Sequence, residues 1–266
     1  MTTTQADRWR SALAQWAIPE EILVAAPEPP WSLSPAMFAR RAEEALANGA
    51  TRPSARRAAE AVPEGGTVID VGVGGGAASL PLVPPAGLLV GVDEGTGMLE
   101  AFAAAADRLG VAHREVHGAW PGVAPEAGVG DVVVCHHVLF NVPDLVPFVT
   151  ALTAHARRRV VVELSRDHPT ADLNPLWLAL HGIERPTSPT AEDAVAVLEE
   201  AGLRVECEVS ERRWARTGTD RAETVAAMRR RLCVGPDRDA EIDALLGDDA
   251  ANPSRKAMTI WWEGAA

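Results

Sequence analysis

The sequence predicts an α/β protein built on a doubly wound, largely parallel sheet. Three observations carry that reading. From Thr67 onward, short apolar runs alternate with helical stretches. A glycine-rich turn, Gly72 to Gly76, directly follows the first run, and the second run ends in an acid, Asp93, near the roughly 20-residue spacing of nucleotide-binding crossovers. The run after Asp131 is apolar through Cys135, as a strand covered on both faces requires.

The elements follow in order. Residues 1–64 read as an N-terminal helical extension or cap. Trp9, Leu13 and Trp16 recur at helical spacing, and Pro19 ends or restarts that helix. A proline-rich loop, Ala26 to Pro35, carries Trp31. Ser34 is expected to cap a helix opened by Pro35, with Met37, Phe38, Ala42 and Leu46 along one face, and Pro53 opens another. Residues 65–266 hold the sheet. Strand one is Thr67 to Val71, and a short helix punctuated by Pro81, Pro84 and Pro85 follows it. Strand two is Leu88 to Val92. Thr96 caps a helix to Leu109, and strand three is Val111 to Val116. Strand four is Asp131 to Cys135. A helix over Pro143 to Ala156 ends in Arg157 to Arg159, where positive charge suits the helix dipole. Strand five is Val160 to Leu164. A long loop with a short helix near Leu173 to Leu180 leads to a helix capped by Thr190 and stopped by Gly202. Strand six is Leu203 to Val209. A charged helical insertion, 212–256, precedes a last strand, Ala257 to Trp262. No simple crossover helix joins strands six and seven, which is compatible with a final antiparallel strand.

Chemistry concentrates at the first turn. Glycine tolerates positive φ and lets a ligand press against backbone. A helix starting there would aim free N–H groups at an anionic group. Asp93 offers a carboxylate to ribose hydroxyls; a solvated strand-end acid is the plain alternative. The same glycines and acid would serve a nicotinamide dinucleotide equally well.

Asp70-Val71-Gly72-Val73-Gly74-Gly75-Gly76, with Gly91 to Leu99 (GVDEGTGML) and Asp131 to Leu145 (DVVVCHHVLFNVPDL), resembles class I, Rossmann-like S-adenosylmethionine-dependent methyltransferases of the bacterial small-molecule type. The resemblance covers roughly residues 65–210 plus the final strand. It implies a seven-stranded sheet of order 3-2-1-4-5-7-6 with the last strand antiparallel. It implies S-adenosyl-L-methionine as cofactor, held by Asp70, Gly72, Val73, Gly74, Gly76, Asp93, Glu94 and Met98. Ala119, Trp120 and His136 are expected to complete that set. The loop after strand three, His117 to Gly122, lacks the acid that relatives bring to the adenine, and Phe140-Asn141 stands where many have a histidine pair. The dinucleotide reading fits less well: that motif usually opens its domain, whereas about 65 residues precede it here.

Methyl transfer from a sulfonium needs alignment and exclusion of water, and a base only when the acceptor holds its proton. His136, His137 and His181 are the candidate catalytic residues, with His168 also near the expected mouth of the sheet. If strand alternation continues, His136 and His137 cannot both face the pocket. Trp31, Trp120 and Trp177 fall in segments that can wall a small, partly apolar acceptor or simply pack. Trp261 is expected in the core and Trp262 at the surface. Arginines 212, 213, 216, 229, 230 and 231 read as a solvated helical face, with an anionic partner as the alternative.

Composition bounds the rest. The 266 residues carry a formal net charge of −12, which argues against nucleic acid as a partner. Three cysteines in an odd, wide spacing form no disulfide framework or metal pair, so a reducing cytoplasm is expected, and no metal is. No apolar run approaches the ~18 residues of a membrane span. Lys256 is the single lysine among 25 Lys and Arg, a bias suiting a GC-rich bacterial source. A cofactor-binding protein without catalysis, and a nicotinamide oxidoreductase, are the competing functions.

Overall fold

The computed structural model describes residues 3–31, 35–213, 221–246 and 254–266. Seven strands form one sheet: β1 Gly66–Val71, β2 Ala86–Asp93, β3 Ala112–His117, β4 Gly130–His136, β5 Ala156–Ser165, β6 Glu206–Arg213 and β7 Ser254–Glu263. Their order is β3-β2-β1-β4-β5-β7-β6. β1, β2, β3, β4 and β5 pair in parallel, and β7 runs antiparallel between β5 and β6. The expected topology is thus observed. A dinucleotide fold of order 3-2-1-4-5-6 has no such inserted antiparallel strand.

Helices cover both faces. On one face lie α1 Gln5–Ala14, α6 Ala124–Ala127, α7 Leu145–Ala154 and α9 Ala191–Glu200, around Ile69, Val133, Val162 and Ile260. On the other lie α3 Pro35–Asn48, α4 Pro53–Ala59 and α5 Thr96–Leu109, around Val68, Val132, Val134 and Val161. A third apolar cluster joins α2 Glu20–Ala25 and α8 Asn174–His181 to the inserted α10 Arg221–Arg231 and α11 Asp239–Leu246.

α1 is anchored by Trp9, which is buried, stacks on Phe140 at 5.6 Å and donates its indole N–H to the Val142 carbonyl. The Thr190 cap is present as a capping box with Asp193, which satisfies N-terminal N–H groups that the helix cannot.

Several local expectations are corrected. No α-helix follows β1: the chain makes turns and one 3₁₀ turn, Leu80–Leu82, because Pro81, Pro84 and Pro85 remove donors a helix needs. α3 takes up the exposed place, packing on α5 and that turn. Arg157 to Arg159 are not a helix terminus; α7 ends at Ala154 and these residues open β5. Arg159 instead donates to the Arg57 carbonyl and pairs with Glu60. Thr96 is the first helical residue, with Gly95 at the cap position. β6 runs to Arg213, so Arg212 and Arg213 are strand residues. Trp262 is buried like Trp261, because β7 is an interior strand covered on both sides. The Ser34 cap and Arg216 lie outside the described residues.

Candidate active site

The C-terminal ends of β1, β2 and β4 meet where the strand order reverses, the position at which doubly wound sheets bind ligands. There Asp93 ties two loops together. Its Oδ2 accepts the Gly74 N–H and its Oδ1 the Gly95 N–H, each at 2.9 Å. A carboxylate has about four lone-pair sites, so each oxygen retains acceptor capacity for a ribose hydroxyl. These acceptor sites therefore fit the hydroxyls of a nucleoside at this point.

The glycines have a second reason to be glycine. Gly72, Gly74 and Gly76 have φ of +73°, +51° and +88°. A Cβ on Gly72 would stand 2.4 Å from Val138, and one on Gly74 2.8 Å from the Phe38 ring. At Gly75 it would stand 2.5 Å from the Phe38 carbonyl oxygen. Close packing of α3 on the turn thus accounts for two of the glycines without any ligand. Gly75→Ala is accordingly expected to cost about 1–3 kcal/mol, with faster hydrogen exchange confined to α3. Thermal melting and exchange mass spectrometry check this; an unchanged α3 would show that the contact is dispensable.

Asp70 lies beneath the turn, fully buried. Its Oδ2 accepts the Ser79 hydroxyl at 2.6 Å, while Oδ1 has no hydrogen-bond partner. Burial pushes its carboxyl up to about 7, and the charge on Asp93 adds to this while contacts with Ser79 oppose it. Val73 is buried and Met98 half-buried, whereas Glu94 and Ala119 are exposed. Glu94 contributes a backbone carbonyl to His117 Nε2 at 3.0 Å. Trp120 is turned into the core under α7, its indole donating to the Phe148 carbonyl. Of the two roles open to it in the sequence, this ring takes the packing one.

The two histidines at the end of β4 lie near each other. Alternation stops at His137, whose φ is +59°, and its ring lies 6.5 Å from that of His136. His137 Nε2 is 3.1 Å from Glu163 Oε1, and its backbone N–H donates to the Glu163 carbonyl at 2.6 Å. Ser54 of α4 donates to Glu163 Oε2 at 2.5 Å. Sequence reasoning passed over Glu163, yet a signal was present: it is a lone acid inside the apolar run Val160 to Leu164.

His181 is placed elsewhere. It stacks on Trp177 at 4.6 Å and bonds the Leu232 carbonyl at 2.7 Å, within the α8–α10–α11 cluster. Trp177 is core there, and Trp31 is 58% exposed. His168 stacks on Trp16 at 3.8 Å, and burial, with Arg185 nearby, lowers its pKa to about 4. Arg229 pairs with Asp239 and Glu28, and Arg230 with Glu28, so these two belong to internal ion pairs rather than to a free basic face. Among the described residues no His, Cys, Asp and Glu cluster could hold a metal, and no helix is long and apolar enough to cross a membrane.

This architecture is that of the Rossmann-like methyltransferases. Among solved structures, the chain is similar to the YcgJ protein of Bacillus subtilis, at 17% identity over 84% of this chain and 99% of that one, TM-score 0.55. It is similar to a Bacillus halodurans protein provisionally named a methyltransferase, at 16% identity, 82% and 96% coverage, TM-score 0.54. A cyclopropane-fatty-acyl-phospholipid synthase-like protein from Lactobacillus casei matches at 16% identity, 91% and 98% coverage, TM-score 0.54. At such identities the likeness is one of fold. No family model and no curated protein sequence matches the chain.

Proposed function

We propose that this protein is an S-adenosylmethionine-dependent methyltransferase acting on a small-molecule acceptor. The observation that carries the reading is Asp93, at the strand-order reversal, joined to the glycine turn within a sheet of order 3-2-1-4-5-7-6. The methyltransferase-named structural neighbour of B. halodurans supports the same reading through its fold. The cofactor supplies a methyl group already activated on a sulfonium. In this reading Asp93 holds the ribose, the Gly72–Gly76 turn takes the methionine end, and Val73 and Met98 border the nucleoside. The alignment of donor and acceptor then does most of the work, and His136 and His137 stand at the end of β4 beside the expected methyl position. The net charge of −12 supports a small molecule over nucleic acid as acceptor. Its three free cysteines suit a reducing bacterial cytoplasm.

Calorimetry tests the reading. S-adenosylmethionine and S-adenosylhomocysteine are expected to bind with a dissociation constant of roughly 1 μM to 1 mM, the span of enzyme substrates, and NADH not at all. Binding of NADH with neither of the other two would overturn it. Binding without label transfer to any small-molecule fraction would leave a non-catalytic cofactor-binding protein.

A further inference from the structure

A polar row, half-buried at His136 and buried at Glu163 and Thr259, crosses the sheet where the apolar pattern breaks. His136 on β4, Glu163 on β5 and Thr259 on β7 are register partners, so their side chains share one face. Glu163 is 3% exposed. A carboxylate so deep is stable only when its oxygens are hydrogen-bonded, and here Ser54 serves one oxygen and His137 the other. His137 reaches it with a left-handed backbone, φ +59°, a conformation that is strained for a non-glycine residue. Strain of this kind persists where the surrounding structure over-determines it, and it clusters at functional sites.

We propose that Glu163 is a positioning residue that makes His137 the proton acceptor of the reaction, and that the acceptor molecule therefore presents a hydroxyl. This rests on the methyltransferase reading above. A carboxylate accepts only, so Glu163 fixes the proton of His137 on Nε2 and leaves the lone pair on Nδ1. The His137 side chain is still 30% exposed, unlike the carboxylate behind it. The step balances. The acceptor O–H proton passes to Nδ1, and the oxygen pair forms the bond to the methyl carbon. The bond from that carbon to sulfur breaks with its pair left on sulfur, and the imidazolium proton then leaves to solvent. Ser54 is committed to Glu163 and Thr259 is fully buried, so neither is open to the acceptor. An acceptor that arrives deprotonated or neutral with a free lone pair would need none of this.

The test uses ¹⁵N-histidine-labelled full-length protein, with the His137 signal assigned by its loss in His137→Gln. The wild type is expected to show the Nε2–H tautomer, and Glu163→Gln to lose that preference, while Glu163→Asp keeps part of it. Binding of S-adenosylhomocysteine, read by calorimetry, is expected to stay within about threefold in Glu163→Gln; failure of the wild type to bind would instead sink the parent reading. Label transfer from methyl-labelled S-adenosylmethionine to a small-molecule cell extract is then followed from pH 5 to 9. Glu163→Gln is expected to lower turnover at least about tenfold, in the 10²–10⁴ range of base catalysis at its upper end, and to change the pH profile. Glu163→Asp is expected to restore part of it. A wild-type Nδ1–H tautomer, an unchanged profile in Glu163→Gln, no transfer at all, or a labelled product without an O-methyl group would each overturn the proposal.

Discussion

Replacing Asp93 with alanine is expected to weaken S-adenosylmethionine binding by at least about 100-fold. Two ribose hydroxyls donating to one carboxylate are charge-assisted bonds worth about 1.5–3 kcal/mol each, so their joint loss is about 3–6 kcal/mol, or roughly 10²–10⁴ in affinity. A second effect adds to the first. Asp93 also accepts the Gly74 and Gly95 N–H groups, so the alanine variant releases the glycine turn from the β2 loop before any ligand arrives. Asp93→Asn separates the two. Its single amide oxygen can hold one of the backbone donors, so the fold is retained while the charge is lost, and a decrease of about 10-fold is expected. Calorimetry on both variants, with thermal melting to confirm folding, decides the matter. Affinity of Asp93→Ala within about threefold of wild type would remove Asp93 from the cofactor site.

How much of this was legible beforehand follows from the physics of each element. The strands were accessible because buried parallel strands such as Val132 to Cys135 are written as continuous apolar runs, and because the glycine turn and Asp93 mark their C-terminal ends; their order was implied only by the resemblance to the methyltransferases, since an apolar run does not say which strand it pairs with. The helix after β1 was misjudged in kind, since its prolines limit its length but do not say that a 3₁₀ turn replaces it. The arginines at 157–159 looked like a dipole complement, but a charged edge of β5 and a charged helix end have the same composition. Trp120 was beyond reach for another reason: whether an indole in a loop turns inward depends on a distant acceptor, here the Phe148 carbonyl. The same holds for α3. Nothing local to Phe38 says that its carbonyl will press on Gly75, because that contact is made across 37 residues of chain, from 38 to 75. The Glu163–His137 pair lies between these extremes. Each residue is conspicuous in sequence, but their meeting requires the break in alternation at His137, which only the backbone reveals.

Asp70→Asn is expected to stabilise the free protein at neutral pH and to expose an opposing dependence hidden in the wild type. The Asp70 carboxyl is raised from 3.8 to about 7 in the folded chain. Between those values the folded state holds a proton that the unfolded chain has released, so the contribution of this group falls as pH rises and is gone above about 7. The upper bound of that loss is about 4 kcal/mol. His168 works the other way. Its pKa falls from 6.5 to about 4 on folding, so its contribution is present above 6.5 and is lost as pH drops toward 4, with a magnitude of about 2–3 kcal/mol after allowance for its partial exposure. From pH 4 to 6.5 the two slopes oppose, and the wild type is expected to show a shallow profile there. Asparagine at position 70 cannot ionise, and its oxygen can still accept from Ser79, but its amide places a donor where Oδ1 has no partner, which costs about 1–3 kcal/mol. The net gain at pH 7 to 8 is therefore about 1–3 kcal/mol, a large share of a typical 5–15 kcal/mol fold stability. At pH 4 the ionisation benefit vanishes, and Asp70→Asn should be no more stable than wild type. Urea unfolding at pH 4, 5.5, 7 and 8 reads both effects. A difference between variant and wild type that stays constant across that range would mean that Asp70 does not titrate in it, and that the turn tolerates a buried charge.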